Sequence, residues 1–174
     1  MYANREFSRV ALCILPVVWV SGCAGTARTF DLAQACAVTR PPDPPFVPPA
    51  PYPVTPDANS FWFGTNALWT ALPLDGTWKN LPHYTPSDPT FRQITVWWRQ
   101  GYDPNTEPQP NLTVTGTRLD SPASPLLADA ATNGWVQPDQ PFMLVGVNLP
   151  TLGCWQITST YRGQQLTFVV QVAQ

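Results

Sequence analysis

The sequence predicts an all-β protein: a single immunoglobulin-like antiparallel β-sandwich, preceded by a signal peptide and a proline-rich spacer. From residue 57 onward, short apolar segments alternate with turn-forming residues, and no helical spacing of apolar residues extends beyond about two turns. The last two segments alternate apolar and polar residues with the period of two that a half-buried strand shows. Nine prolines occupy the sixteen positions of residues 41–56, which excludes a central strand there.

Residues 1–22 are typical of a bacterial lipoprotein signal peptide. Arg5 and Arg9 precede an apolar run over residues 10–20, which is too short for a membrane-spanning helix because such a helix needs about twenty apolar residues. The run ends in V-S-G-C, which resembles the lipobox, whose cysteine becomes the acylated first residue of the mature chain. We therefore expect a lipid on Cys23 that anchors the chain to a membrane. A plain secretory signal and an uncleaved signal anchor remain alternatives.

Residues 23–56 are predicted to form the lipidated N-terminus and a proline-rich linker. Because proline favours extended polyproline II structure, residues 41–56 are interpreted as a stiff spacer between lipid and domain. P-x-x-P spacing leaves open a ligand for a proline-recognising partner. If Cys36 were bridged to Cys154, the segment would instead run back along the domain as a clamped loop.

Cys36 and Cys154 are the two cysteines left once Cys13 departs with the signal and Cys23 carries the lipid. Outside the cytoplasm such a pair more often forms a disulfide than two free thiols, and we expect this bond. Two distant cysteines and one histidine do not supply four spaced ligands, so neither a metal nor a cofactor is predicted.

Residues 57–174 are predicted to form the sandwich domain. The first three candidate strands are separated by turn signals such as Asp75-Gly76 and the proline-rich residues 82–89. Residues 123–132 are the one weak helical candidate, and their proline argues against it. The six candidate strands are residues 68–72, 94–99, 112–118, 142–149, 154–161 and 166–172.

The last two candidate strands have the clearest pattern. Trp155, Ile157 and Tyr161 share one face of the first strand, and Leu166, Phe168, Val170 and Val172 share one face of the second. The connection over residues 162–165 contains Gly163, which suits a turn position with positive φ. The pattern therefore predicts a β-hairpin.

Few residues suit catalysis. His83 is the sole histidine, and no serine or cysteine nucleophile surrounds it in a known motif. Two acid pairs could approach each other as in a glycosidase, Asp75 with Asp88 and Asp103 with Glu107. We predict no catalytic residue, and the alternative is a small envelope hydrolase that uses His83 or an aspartate pair.

Tryptophan offers a different kind of candidate site, at residues 97–99 (WWR). If Ile94, Val96 and Trp98 face the core, then Trp97 and Arg99 face outward, and together they could form a flat platform for a sugar ring or a cation–π contact. The alternative is that Trp97 is simply packed, because a small sandwich must bury most of its tryptophans.

Several segments, taken in order, resemble a family of uncharacterised bacterial secreted proteins and lipoproteins. The resemblance implies a β-sandwich and an envelope address, it supports the disulfide, and it carries no established activity. The chain departs from the family pattern at Gln156, where an acid is common, and at Thr117. The matching segments are residues 36–41 (CAVTRP), 66–72 (NALWTAL), 75–77 (DGT), 97–99 (WWR), 112–120 (LTVTGTRLD), 150–158 (PTLGCWQIT) and 166–170 (LTFVV).

The low charge also limits the function. Only 11% of residues are charged and the net charge is −2, so the chain cannot neutralise many phosphates and nucleic acid is not expected as a partner.

We predict a lipid-anchored cell-envelope protein outside the cytoplasm, most simply a non-enzymatic binding or structural sandwich for a partner protein or a glycan. The outer membrane is preferred because Ala24 replaces the aspartate that favours inner-membrane retention.

Overall fold

The computed structural model describes residues 36–174, and the predicted signal peptide, Cys23 and residues 24–35 lie outside the described residues. The described part is built from strands and loops, without a helix. Its strands are β1 (Ser60–Thr65), β2 (Leu68–Pro73), β3 (Thr77–Lys79), β4 (Phe91–Trp98), β5 (Thr113–Arg118), β6 (Leu127–Ala128), β7 (Thr132–Trp135), β8 (Pro141–Leu149), β9 (Gly153–Tyr161) and β10 (Gln164–Ala173).

The strands form two sheets that pack against each other. The first sheet has the order β1-β2-β4-β8-β6, with β7 also paired to β8, and the second has the order β3-β10-β9-β5. Every pair is antiparallel except β3 with β10, which is parallel. Apolar side chains from both sheets, including Trp155, Ile157 and Phe168, fill the space between them. The predicted all-β sandwich is confirmed.

All six predicted strands are present, with bounds that differ by at most three residues at either end. Strands β1, β3, β6 and β7 were not predicted from the sequence. Three of these strands have only two to four residues, which is too few to show a period. Residues 123–132 form no helix, since they contain β6 and the first residue of β7.

The predicted hairpin is confirmed between β9 and β10. Its turn consists of Arg162 and Gly163, both with positive φ (48° and 77°), as in the two-residue turns that match the twist of paired strands. The predicted inward residues of β9, such as Trp155 and Tyr161, are fully or almost fully buried.

The expected orientation of β4 is wrong. Trp97 is fully buried between the sheets, while Ile94, which was expected in the core, is 48% exposed. The two inward side chains are linked by hydrogen bonds that stabilise this orientation: Thr95 donates its hydroxyl to the Val145 carbonyl (2.8 Å), and Trp97 donates Nε1–H to Thr95 Oγ1 (2.9 Å). Because these bonds satisfy the hydroxyl, a threonine is tolerated in the core.

The proline-rich segment covers the outer face of the first sheet. Phe46 and Tyr52 pack on an aromatic cluster formed by Trp62, Trp69 and Trp98. Hydrogen bonds fasten the segment at both sides: Tyr52 donates its hydroxyl to the Pro141 carbonyl (3.0 Å), and Trp62 donates Nε1–H to the Pro53 carbonyl (2.9 Å). We call residues 41–56 the strap.

A disulfide joins Cys36 to Cys154, with 5.4 Å between their Cα atoms. Beside it, Thr39 and Val169 exchange two hydrogen bonds of 2.9 and 2.8 Å, which hold the residues before the strap on the second sheet. Residues 36–56 therefore form the clamped loop and not the free spacer.

Candidate functional site

A slot opens along one side of the sandwich, where the edges of the two sheets separate. One wall is residues 109–114, which lead into β5, and the other is residues 126–131, which contain β6. The cavity has a volume of about 540 Å³. This volume lies within the range that small-ligand sites in proteins occupy.

The slot is closed at both ends, and we call the end at Leu126 the upper end. The Leu126 N–H donates to the Gly116 carbonyl (3.2 Å), which joins the two walls. Gly116 permits this approach because a methyl group at that position would overlap the Leu126 side chain. Beyond Leu126 the walls diverge, since β6 pairs with β8 and the Asp129 N–H donates to the Gly146 carbonyl (2.8 Å).

The lower end of the slot closes at Asn133. Its side-chain amide donates to the carbonyls of Pro108 (2.8 Å) and Glu107 (3.2 Å), and its amide oxygen accepts a hydrogen bond from the Tyr102 hydroxyl. Burial, with Tyr161 and Glu107 nearby, raises the pKa of Tyr102 to about 12, so this hydroxyl remains a donor at neutral pH.

The Glu107 carboxylate reinforces this lower closure. It accepts hydrogen bonds from the Tyr161 hydroxyl (2.5 Å) and from Arg162 (2.6 Å). Burial opposes ionisation of Glu107, but the bonds from Tyr161, the Asn111 N–H and Arg162 outweigh it, so the pKa of Glu107 lies below its ordinary value. The carboxylate is thus held ionised in a structural network.

The slot has an apolar floor and an uncharged polar rim. Among the residues that line it, Asp129 alone is charged, and its carboxylate forms an ion pair with Arg92 (2.5 Å). The floor consists of the buried side chains Leu112, Val114, Leu126 and Ala131, and the rim includes Gln109, Asn111 and Thr113. The chemistry of the lining therefore favours an uncharged ligand.

Main-chain groups also point into the slot from the β5 wall. In a strand, the N–H and C=O of successive residues point to alternate sides. The Leu119 N–H donates to Cys154 on the β9 side, whereas the Gly116 carbonyl accepts from Leu126 on the opposite side. Val114 lies two residues before Gly116 in the same strand. Its N–H and C=O therefore point in the same direction as the Gly116 carbonyl and face the slot.

The same alternation holds on the opposite wall. The Leu126 N–H points to β5 and the Asp129 N–H points to β8, so the N–H and C=O of Ala128 face the slot. Within residues 36–174, no main-chain partner is found for these groups of Val114 and Ala128.

The predicted catalytic candidates lie apart from the slot. His83 is exposed, stacks on Phe91 with 5.0 Å between ring centroids, and has Nδ1 3.1 Å from the Thr90 carbonyl. Asp88 accepts two hydrogen bonds from Thr90, of 2.7 and 2.8 Å, and these bonds lower its pKa. The hydrogen bond of His83 thus leads to a carbonyl oxygen and not to a nucleophile.

The acids of the two predicted pairs are held by different partners. Asp75 contacts Lys79 (2.6 Å), whereas Asp88 contacts Thr90. Asp103 and Glu107 lie in one turn, but Asp103 accepts from the Asn105 N–H (2.9 Å) while Glu107 is held by Tyr161 and Arg162.

Trp97 is fully buried, so the possible ligand platform is wrong and the alternative, that Trp97 is simply packed, is the one observed. Arg99 lies next to the ring of Tyr161, with its guanidinium carbon 5.7 Å from the ring centroid, and does not form an exposed surface with Trp97. The slot was not predicted from the sequence. The signal that could have indicated it is the stretch of residues 121–131, which follows a predicted strand and contains no strand candidate of its own.

Comparisons with protein-family models, with curated proteins and with solved structures found no match. The family resemblance described above therefore stays a prediction. In the described part of the chain, no three His, Cys, Asp or Glu residues are grouped so that they could hold a metal ion. Over residues 36–174 there is also no helix of the length and apolarity needed to cross a bilayer.

Proposed function

We propose that this chain is a lipid-anchored protein of the bacterial cell envelope, outside the cytoplasm, whose sandwich binds a partner in the slot without catalysing a reaction. The V-S-G-C ending at Cys23 and the short apolar run before it support the anchor. The disulfide between Cys36 and Cys154 agrees with an oxidising compartment.

The slot is the observation that carries the binding proposal. Its floor is formed by apolar side chains, its walls present main-chain donors and acceptors, and its one charged side chain is already paired with Arg92. A concave site that combines apolar side chains with polar groups is typical of binding sites. Asp129 is the one acid among the residues that line the slot, and His83 contacts the Thr90 carbonyl away from it.

The anchor predicts a defined mass. We expect the protein purified from the membranes of its native cells to have the mass of residues 23–174 plus acyl chains, with about two further protons after reduction. Intact-mass spectrometry checks this. An unacylated species of that chain would contradict the lipid, and an unchanged mass on reduction would contradict the disulfide.

The binding role predicts a position-specific crosslink. Leu127 lines the slot and is 70% exposed, so Leu127→p-benzoylphenylalanine should give a discrete crosslinked product on irradiation of native cells. The matched control is Leu119, which is 52% exposed and lies outside the slot at the end of β5. The same products at both positions, or none at Leu127, would contradict binding in the slot.

A further inference from the structure

We infer that the slot binds an extended, uncharged segment of a partner protein, about five residues long, which pairs with the edges of both sheets at once. This inference rests on the proposed function, because it names the kind of partner that the same site takes. A peptide differs from a glycan because it would bind through main-chain groups, both its own and those of the slot walls.

The directions of the main-chain groups support strand pairing. Val114 faces the slot from the β5 wall and Ala128 faces it from the β6 wall, each with an N–H and a C=O. Only an extended peptide offers the same two groups, alternately, on both of its own edges. A segment between the walls would therefore join the two sheets into one. The strand order across the join would be β9, β5, the bound segment, β6 and β8.

The floor and the rim match the two faces of such a segment. Side chains of a strand alternate between its two faces. One set would point onto the buried side chains of Leu112, Val114 and Leu126, and the other would point to solvent beside Asn111 and Thr113. The expected segment thus has small apolar residues at alternate positions, as in other cases of strand addition at a sheet edge.

The closures and the charge restrict the segment further. Bonds at Gly116 and at Pro108 close the two ends, and the chain between these closures, residues 109–115, spans about 20 Å at roughly 3.3 Å per residue. About five residues fit, and the partner chain enters and leaves through the solvent side. Because Asp129 is already paired with Arg92, a charged residue of the partner would find no counter-charge in the slot.

The test uses the full mature protein in detergent and an array of uncharged acetylated, amidated pentapeptides that carry valine or alanine at alternate positions. Peptides that bind are then compared with analogues N-methylated at alternate amides, which keep the side chains and lose the donors. We expect N-methylation to weaken binding at least tenfold. Equal binding by the methylated analogues would overturn strand pairing.

Two variants of one residue test the protein side. Ala128→Pro removes an N–H that points into the slot and away from the β6–β8 ladder, a position where proline is compatible with an edge strand. Ala128→Val keeps the N–H and serves as the matched control. We expect Ala128→Pro to weaken peptide binding at least tenfold and Ala128→Val to weaken it less than threefold, with thermal unfolding confirming that both fold. If both variants bind like the wild type, the proposal is wrong.

The crosslink at Leu127 separates this inference from the function on which it rests. An adduct that maps to an uncharged segment of a protein supports both. An adduct with a saccharide, or a slot-specific adduct when no array peptide binds, overturns the peptide inference and leaves binding in the slot intact. Absence of a slot-specific adduct contradicts the proposed function itself.

Discussion

Replacing Trp97 with alanine is expected to lower the free energy of unfolding by about 3–5 kcal/mol. Trp97 is fully buried, its ring lies 5.9 Å from that of Phe168 in the opposite sheet, and its Nε1–H satisfies the Thr95 hydroxyl. The substitution thus removes a large apolar contact between the sheets and leaves a cavity. It also leaves the buried hydroxyl with one hydrogen bond fewer.

Denaturant titration followed by far-UV circular dichroism measures this effect. Ile94→Ala is the matched control, because Ile94 lies on the same strand but on the outer face and is 48% exposed. We expect this control to cost less than about 1.5 kcal/mol. A Trp97→Ala variant as stable as the control would mean that Trp97 does not belong to the core.

Replacing both Cys36 and Cys154 with serine is expected to lower the free energy of unfolding by about 4–5 kcal/mol. The bond closes a loop with a sequence separation of 118 residues, and cross-linking a loop of that length strongly restricts the unfolded chain. The same bond holds the chain before the strap on the second sheet. The variant should therefore also expose the residues around Thr39 to proteolysis.

Urea unfolding of the wild-type protein, with and without a reducing agent, provides the comparison. Reduced wild type and the double-serine variant should coincide. Thr39→Ala controls for local contact alone, since it removes one hydrogen bond to Val169 and should cost about 1 kcal/mol. If the double-serine variant unfolds at the same urea concentration as the oxidised protein, the disulfide does not stabilise the fold.

The two open edges of the sandwich explain why the slot lies where it does. On the opposite side, β2 lies in the first sheet and β3 pairs with β10 in the second, so the connection through Gly76 joins the sheets. Between β5 and β6, one hydrogen bond at Leu126 is followed by divergence, and the walls meet again only where Asn133 donates to the Pro108 carbonyl. Exposed strand edges are sites at which other chains add strands, and here the edges face each other across a cavity.

Local patterns in the sequence were sufficient for much of the fold. Alternation with a period of two predicted the buried face of β9, because Ile157 is apolar where its neighbours Gln156 and Thr158 are polar. Gly163 predicted the hairpin because a tight turn needs positive φ there. The exclusion of a central strand from residues 41–56 follows from proline itself, which lacks an N–H.

Only the tertiary structure decided the features that depend on distant partners. Both faces of β4 carry apolar residues, so alternation allowed two orientations, and the one observed is stabilised by the bonds of Thr95 to Val145 and Trp97. The strap is placed by the disulfide and by tryptophans of other strands. The slot exists because two sheet edges diverge after Leu126, and the distance between strands that are not paired is not encoded in the pattern of either strand.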